Sequence, residues 1–159
     1  MKNFRVGTGY DVHQLKNNNK LILGGVLIPH CKGTVAHSDG DVVIHSICDA
    51  LLGAAGLGDI GHFFPDTDKN FKDIDSKILL KDVFKMIQQK NFFVVNVDVS
   101  IVLEAPKLKN YLLDMKIQIS KCINISVNDV NIKATTSEKM GFIGREEGVA
   151  CYATTLIAC

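Results

Sequence analysis

The segment from Val149 to Ala158, VACYATTLIA, constrains the chain most, because apolar or small residues occupy both of its alternating faces. Side chains on a strand point to opposite sides in turn, so a strand with one solvated face alternates apolar with polar. A strand apolar on both faces needs cover on both. Two arrangements provide it: a central place in the chain's own sheet, or a sheet face buried by other subunits. Assembly is the expectation adopted, with a terminal strand tucked into its own sheet as the alternative.

Five further segments read as strands. Phe92 to Leu103 places Val95, Val97, Val99, Ile101 and Leu103 on one face, and Val130, Ile132 and Ala134 form a strand leading into Thr135-Thr136-Ser137-Glu138. Phe4 to Val6 reads as a short strand before Gly7 and Gly9. Leu21–Leu23 and Val26–Ile28 flank Gly24-Gly25, the pattern of a two-residue hairpin turn. Cys31 to Gly40 reads as a loop.

From Asp41 the period changes to three and four, through Val42, Ile44, His45, Ile47, Cys48, Leu51, Leu52 and Ala55. Ser38 or Asp39 is placed to cap this helix and Gly56 or Gly58 to end it, with Gly53 kept for close packing. Asp59 to Asp73 reads as a loop. Asp75 or Ser76 starts a second helix through Gln89, and Pro106 starts a third to about Cys122. Ser126 to Val130 is a short turn or cap. The fold expected is α+β, one domain over 1–159: a small mixed sheet with the helices on one face.

Composition narrows the partners. A formal net charge of +1 and a pI near 7.6 leave no basic surplus for a phosphate backbone, so nucleic acid is not an expected partner. No apolar run reaches a membrane span. The first residues move straight into a strand pattern without a signal or transit peptide. Cysteines 31, 48, 122, 151 and 159 form no CxxC pair and read as reduced, buried or semi-buried thiols.

The chemistry concentrates early: all five histidines lie within the first 62 residues. Asp11 and His13, two apart on an extended segment, point to one side. With His45 they make a one-carboxylate, two-imidazole set suited to a zinc-like ion with one position open for substrate. As a bare pattern, Asp-x-His equally describes ordinary hydrogen bonding at a strand edge. Asp49, four residues after His45, is placed to receive the other ring N–H of that histidine, or to be a solvated helical carboxylate. His37-Ser38-Asp39-Gly40-Asp41 precedes a helix whose first N–H groups favour phosphate; capping alone explains the serine and aspartates but not His37. Thr135, Thr136, Ser137, Glu138 and Lys139 suit a diphosphate and a hard cation, or simply a solvated turn.

Taken together, GYDVH from Gly9, HSDGDVVIH from His37, DALLGAAGLGDIGHFFPDTD from Asp49, NVDVSIVLEAPK from Asn96 and NIKATTSEKMGFIGREEGVAC from Asn131 resemble the 2-C-methyl-D-erythritol 2,4-cyclodiphosphate synthase family of the non-mevalonate isoprenoid pathway. The resemblance covers essentially the whole chain. It implies a homotrimer whose sheets surround a three-fold axis, with active sites at subunit boundaries. It also implies a metal-dependent reaction in which the 2-phosphate of a cytidine diphosphate substrate attacks the β-phosphorus and CMP leaves. By resemblance, Asp11, His13 and His45 hold zinc. His37, Ser38, Asp59, Ile60 and Gly61 wrap the methylerythritol phosphate, beside Phe64, Asp66 and Asp68. Thr135, Thr136 and Glu138 address the diphosphate, Glu138 through a magnesium or manganese ion. Ala105, Pro106, Lys107 and Leu108 form the cytosine pocket of a neighbouring subunit. Phe142 and Arg145 lie near an axial cavity able to carry an isoprenoid diphosphate. Asp11, His13, His37, His45, Thr136 and Glu138 are the residues implied in catalysis. The compartment implied is a bacterial cytoplasm or a plastid-like organelle.

Overall fold

A computed structural model describes residues 3–65 and 67–159, without the side chain of Asn70. In chain order the strands are β1 (Phe4–Asn17), β2 (Leu21–Leu23), β3 (Val26–Ile28), β4 (Lys32–Thr34), β5 (Phe93–Val102), β6 (Val130–Thr135) and β7 (Gly148–Ala158). The helices are α1 (Val42–Ala55), α2 (Ile60–Phe63), α3 (Ser76–Gln89), α4 (Leu112–Cys122) and α5 (Gly141–Gly144). Five strands form a mixed sheet in the order β4-β1-β7-β5-β6, in which only β5 and β6 run parallel. This is the expected α+β arrangement, with β2 and β3 a separate hairpin whose Gly24 and Gly25 both have positive φ. Cys31 to Gly40 contains a strand, β4, where a loop was expected; Lys32–Thr34 completes the sheet edge against Leu15–Asn17.

The first strand is much longer than Phe4–Val6, and its glycines explain both its length and what it holds. Positions 7, 9, 11, 13 and 15 of β1 face the helices, and the even positions face away. A Cβ on Gly7 would lie 2.0 Å from the carbonyl oxygen of Ala50, and one on Gly9 would lie 1.9 Å from that of Ser46. The backbone of α1 therefore rests directly on β1, and the glycines lie within the strand, which runs on past Val6. Gly53, expected to serve close packing, has open space around its Cβ position.

Helix α1 is buried nearly all round, leaving His45, Asp49 and Gly53 as a less buried stripe at four-residue spacing. Its N-cap is Asp41, not Ser38 or Asp39. The Asp41 carboxylate accepts from Val43 N and Ile44 N (both 3.1 Å) and also from Gly24 N (2.8 Å) and Gly25 N (2.5 Å), welding the hairpin turn to the helix start. Gly56 closes the helix in the left-handed conformation. Helix α3 starts on the Asp75 cap as expected, and Ser126 caps a single 3-10 turn before β6. Helix α4 begins at Leu112 rather than Pro106: the Ala105–Pro106 bond is cis, and the chain turns there instead of entering a helix. The expected loop after Asp59 contains α2 and a second 3-10 turn.

On β5 a register shift between Val94 and Asn96 moves Val94, not Val95, into the core, after which Val97, Val99 and Ile101 alternate inward. Strand β7 is central in its own sheet, yet its outer face is not covered: Tyr152 is 55% exposed, beside Phe4 (55%), Val6 (66%) and Tyr10 (47%). All five cysteines are free; Cys48, Cys122 and Cys151 are buried, whereas Cys31 and Cys159 are exposed.

Candidate metal centre and flanking cavities

Where α1 rises off β1, the side chains missing at Gly7 and Gly9 return as Asp11 and His13, and they meet His45 from the first turns of the helix. His45 Nδ1 lies 3.0 Å from Asp11 Oδ2, His13 Nε2 lies 3.1 Å from the same oxygen, and the two ring nitrogens are 3.1 Å apart. These spacings are close to the ~3.3 Å edge of a tetrahedron with bonds of about 2.0 Å, the bond length zinc makes to imidazole nitrogen and carboxylate oxygen. Two imidazole nitrogens turned toward each other beside a carboxylate suit a shared cation better than hydrogen bonds alone. Among the described residues, this triad is a group able to hold a metal ion.

The electrostatics agree. Burial opposes the charge of Asp11, but hydrogen bonds from His13 and His45 prevail and hold its carboxyl well below the usual carboxylate range. Burial likewise opposes a charged His45, and the hydrogen bond and charge of Asp11 overcome it, raising the imidazole above its ordinary value.

The other ring nitrogen of His45 does not meet Asp49. Asp49 Oδ1 instead accepts from Ile60 N at 2.8 Å, tying α1 to the start of α2; burial pushes its carboxyl up. His45 Nε2 lies 2.9 Å from Ser76 Oγ and 3.1 Å from Ser38 Oγ. Ser76 in turn donates to Asp39 Oδ1 at 2.5 Å. Sequence reasoning gave Ser76 and Asp39 only capping roles, since the contact spans 31 residues.

The triad opens on a cavity of about 500 Å³ that His37, Ser38, Asp49, Ile60, Gly61 and Phe64 also line. His37 Nε2 donates to the carbonyl of Asp68 at 3.0 Å. Asp59 caps α2 through His62 N (3.0 Å) and does not line the cavity. Phe64 stacks edge-on against Phe71, building an apolar wall. Asp66 lies outside the described residues.

Pro106, Lys107 and Leu108 line a second cavity of about 430 Å³ with Thr135 and Thr136 at the end of β6; Ala105 stands just outside it. Glu138 follows on a loop where it and Lys139 have positive φ, and it accepts from Thr136 Oγ1 at 2.8 Å. Glu104, absent from the sequence expectations, shapes this loop. Its Oε1 accepts from Ser137 N (2.8 Å), Ser137 Oγ (3.0 Å) and Lys139 N (3.3 Å). No spacing rule would have found it. Phe142 packs near Gly148, and Arg145 makes a two-point ion pair with Glu147; neither lines the two cavities.

The two cavities stand apart within the chain. Asp11, Cys151, Ile101 and Ala134 occupy one row across β1, β7, β5 and β6, so three strand spacings, about 14 Å, separate the triad from the end of β6.

The YgbB family profile matches residues 4–158. The chain is 53% identical, over 96% of its length and 98% of the relative's, to the 2-C-methyl-D-erythritol 2,4-cyclodiphosphate synthase of Prosthecochloris aestuarii. It is 52% identical to the enzyme of the same name from Azotobacter vinelandii, over 96% of its length and 98% of the relative's. Among solved structures, the bifunctional IspDF of Campylobacter jejuni superposes with a TM-score of 0.96 at 42% identity, covering 99% of this chain and 43% of that protein. A Plasmodium falciparum IspF described as a CDP complex superposes with a TM-score of 0.85 at 36% identity, covering 97% of this chain and 95% of that one. Among the described residues, no helix is long and apolar enough to cross a membrane.

Proposed function

The chain belongs to the YgbB family, and on that premise we propose that it converts 4-diphosphocytidyl-2-C-methyl-D-erythritol 2-phosphate into the cyclic 2,4-diphosphate and CMP. The observation that carries the reading is the Asp11–His13–His45 triad at its cavity, in a chain 53% identical to a cyclodiphosphate synthase over nearly its whole length.

The reaction is an intramolecular phosphoryl transfer, a cyclising phosphorus–oxygen lyase step. An oxygen of the 2-phosphate forms a bond to the β-phosphorus, the bond from that phosphorus to the α–β bridging oxygen breaks, and its electron pair leaves with CMP. Attacker and target are both anionic and repel each other. Zinc held by Asp11, His13 and His45, with magnesium or manganese held by Glu138 and the substrate's phosphates, would supply the neutralising charge. No general base is required, because the attacking phosphate is already ionised.

The chain's own residues solve the folding of a flexible substrate into a ring-closing pose. His37, Ser38 and the α2 start at Ile60 and Gly61 orient the methylerythritol phosphate. Phe64 excludes water, while Asp59 holds the start of α2 and the carbonyl of Asp68 holds His37 in place. Thr135 and Thr136 hold the diphosphate, and Ala105, Pro106, Lys107 and Leu108 receive the cytosine.

Two observations support a homotrimer with shared sites. The outer sheet face carries exposed Phe4, Val6, Tyr10 and Tyr152, an apolar surface that a three-fold packing of sheets would bury. The roughly 14 Å between half-sites within one chain leaves the cytosine pocket to be supplied by a neighbour. Phe142 and Arg145 then face the axial cavity, where an isoprenoid diphosphate is the proposed ligand. A bacterial cytoplasm or plastid-like organelle suits such an enzyme.

The test is a ³¹P NMR time course on the cytidine-linked 2-phosphate, with zinc and magnesium supplied and then chelated. Equimolar CMP and cyclic diphosphate, lost on chelation, is the expected result. A linear phosphate product would replace cyclisation with hydrolysis.

A further inference from the structure

We propose that Ser76, backed by Asp39, is a positioning residue for the metal centre: it holds a proton on His45 Nε2 and so presents His45 Nδ1 as a free donor to the ion. The inference rests on the metal reading above and concerns residues that touch neither ion nor substrate in it.

The argument is one of hydrogen-bond accounting. Asp39 acts as an acceptor toward three donors: Ser76 N at 3.0 Å on Oδ2, and Ser76 Oγ at 2.5 Å and Asp41 N at 3.2 Å on Oδ1. The single hydroxyl proton of Ser76 therefore points to Asp39, which leaves only lone pairs facing His45 Nε2 at 2.9 Å. That contact is a hydrogen bond only when Nε2 carries the proton. Nδ1, 3.0 Å from Asp11 and 3.1 Å from His13 Nε2, then turns an unprotonated lone pair into the triad.

The hydroxyl of Ser76 is not engaged elsewhere. Although Ser76 opens α3, the capping bond to Lys77 N is made by Asp75 at 2.9 Å. Ser76 is fully buried, so in the parent its oxygen shields His45 Nε2 from bulk water. Ser38 Oγ also approaches Nε2, at 3.1 Å, and accepts from Gly40 N at 3.2 Å, but it has no carboxylate behind it to fix where its own proton points. Outer partners of this kind fix the tautomer of a ligating histidine and raise its basicity.

The experiment uses the full chain and its Ser76→Ala variant, with zinc as the probe. Zinc dissociation constants come from chelator competition, and the His45 Nε2–H resonance is followed in ¹⁵N-histidine-labelled, zinc-loaded protein. The variant is expected to bind zinc about 10–100-fold more weakly, with a His45 Nε2–H that exchanges with water faster than in the parent. A dissociation constant equal to the parent's, or an unchanged Nε2–H exchange rate, overturns the proposal, each by itself. A purely structural role for Ser76 would not move the exchange rate. If Ser76→Ala does not fold, Asp39→Asn leaves the serine in place, is read by the same two measurements, and must weaken zinc. A parent chain that fails to bind zinc would instead overturn the metal assignment beneath the proposal.

Discussion

His45 Nδ1 sits 3.0 Å from Asp11 Oδ2 across 34 residues of sequence, and the pair ties folding stability to pH. Asp11, depressed below its ordinary 3.8, contributes stability above that value, lost as pH falls through its lower folded-state pKa. His45, raised above its ordinary 6.5, contributes stability below that value, lost as pH rises through its folded-state pKa. In metal-free protein both contributions are therefore fully present only between 3.8 and 6.5. Zinc must displace the proton from His45, so its stabilising effect grows as pH rises above that window. Thermal melts with and without zinc across pH check this; a zinc gain independent of pH would contradict it.

Replacing His45 by Ala removes one of the three donors while leaving the core of α1 in place. Turnover is expected to fall by about a hundredfold or more, with bound zinc lost and the far-ultraviolet spectrum unchanged. Metal analysis and CMP release measure the two effects, and retained zinc with normal turnover would refute the ligand assignment.

Gly9→Ala drives a Cβ to within 1.9 Å of the Ser46 carbonyl oxygen, forcing α1 off β1. A loss of about 1–3 kcal/mol is expected in denaturant titration, together with weaker zinc binding, since the same shift carries His45 away from Asp11. Gly53→Ala is the contrast. Its Cβ position meets no atom within 4 Å, and it should stabilise the helix by about 0.5–1 kcal/mol.

Asp41→Ala leaves four backbone N–H groups without their acceptor, two at the helix start and two in the hairpin turn. A loss of about 2–4 kcal/mol is expected from denaturant unfolding. Asp41→Asn keeps one oxygen but presents an NH2 to the remaining donors, so it should recover only part of the loss.

Glu104 makes all its bonds to Ser137 and Lys139 through Oε1, which an amide oxygen can replace. Glu104→Gln should therefore retain near-parental kinetics. Glu104→Ala frees the loop carrying Thr136 and Glu138 and should lower kcat/KM by about tenfold or more. Steady-state kinetics on the two variants distinguish a shaping role from a role for the charge; equal losses in both would favour charge.

Much of the fold was legible because its periods are clean. The hairpin at Gly24-Gly25, helix α3 from its Asp75 cap, and β6 and β7 lie where the pattern puts them. The misreadings share a cause. The pattern stops the first strand at Val6 because nothing local distinguishes a glycine that ends a strand from one pressed against a helix backbone. It groups Val95 with Val97 because a bulge shifts the alternation by one residue without altering composition. It offers Ser38 and Asp39 as caps because they are as good capping residues as Asp41.

Local pattern carries the chemistry on offer: Asp11 and His13 on one side of an extended segment, and His45 near the start of a helix. Strand and helix periods set those directions locally. Which groups meet depends on the packing of the elements. The close approach of α1 to β1 brings His45 to Asp11, and the arrival of α3 puts Ser76, not Asp49, behind the histidine. Such contacts depend on where packed elements come to rest in space, and hydrogen bonds across 31 or more residues leave no trace in local spacing.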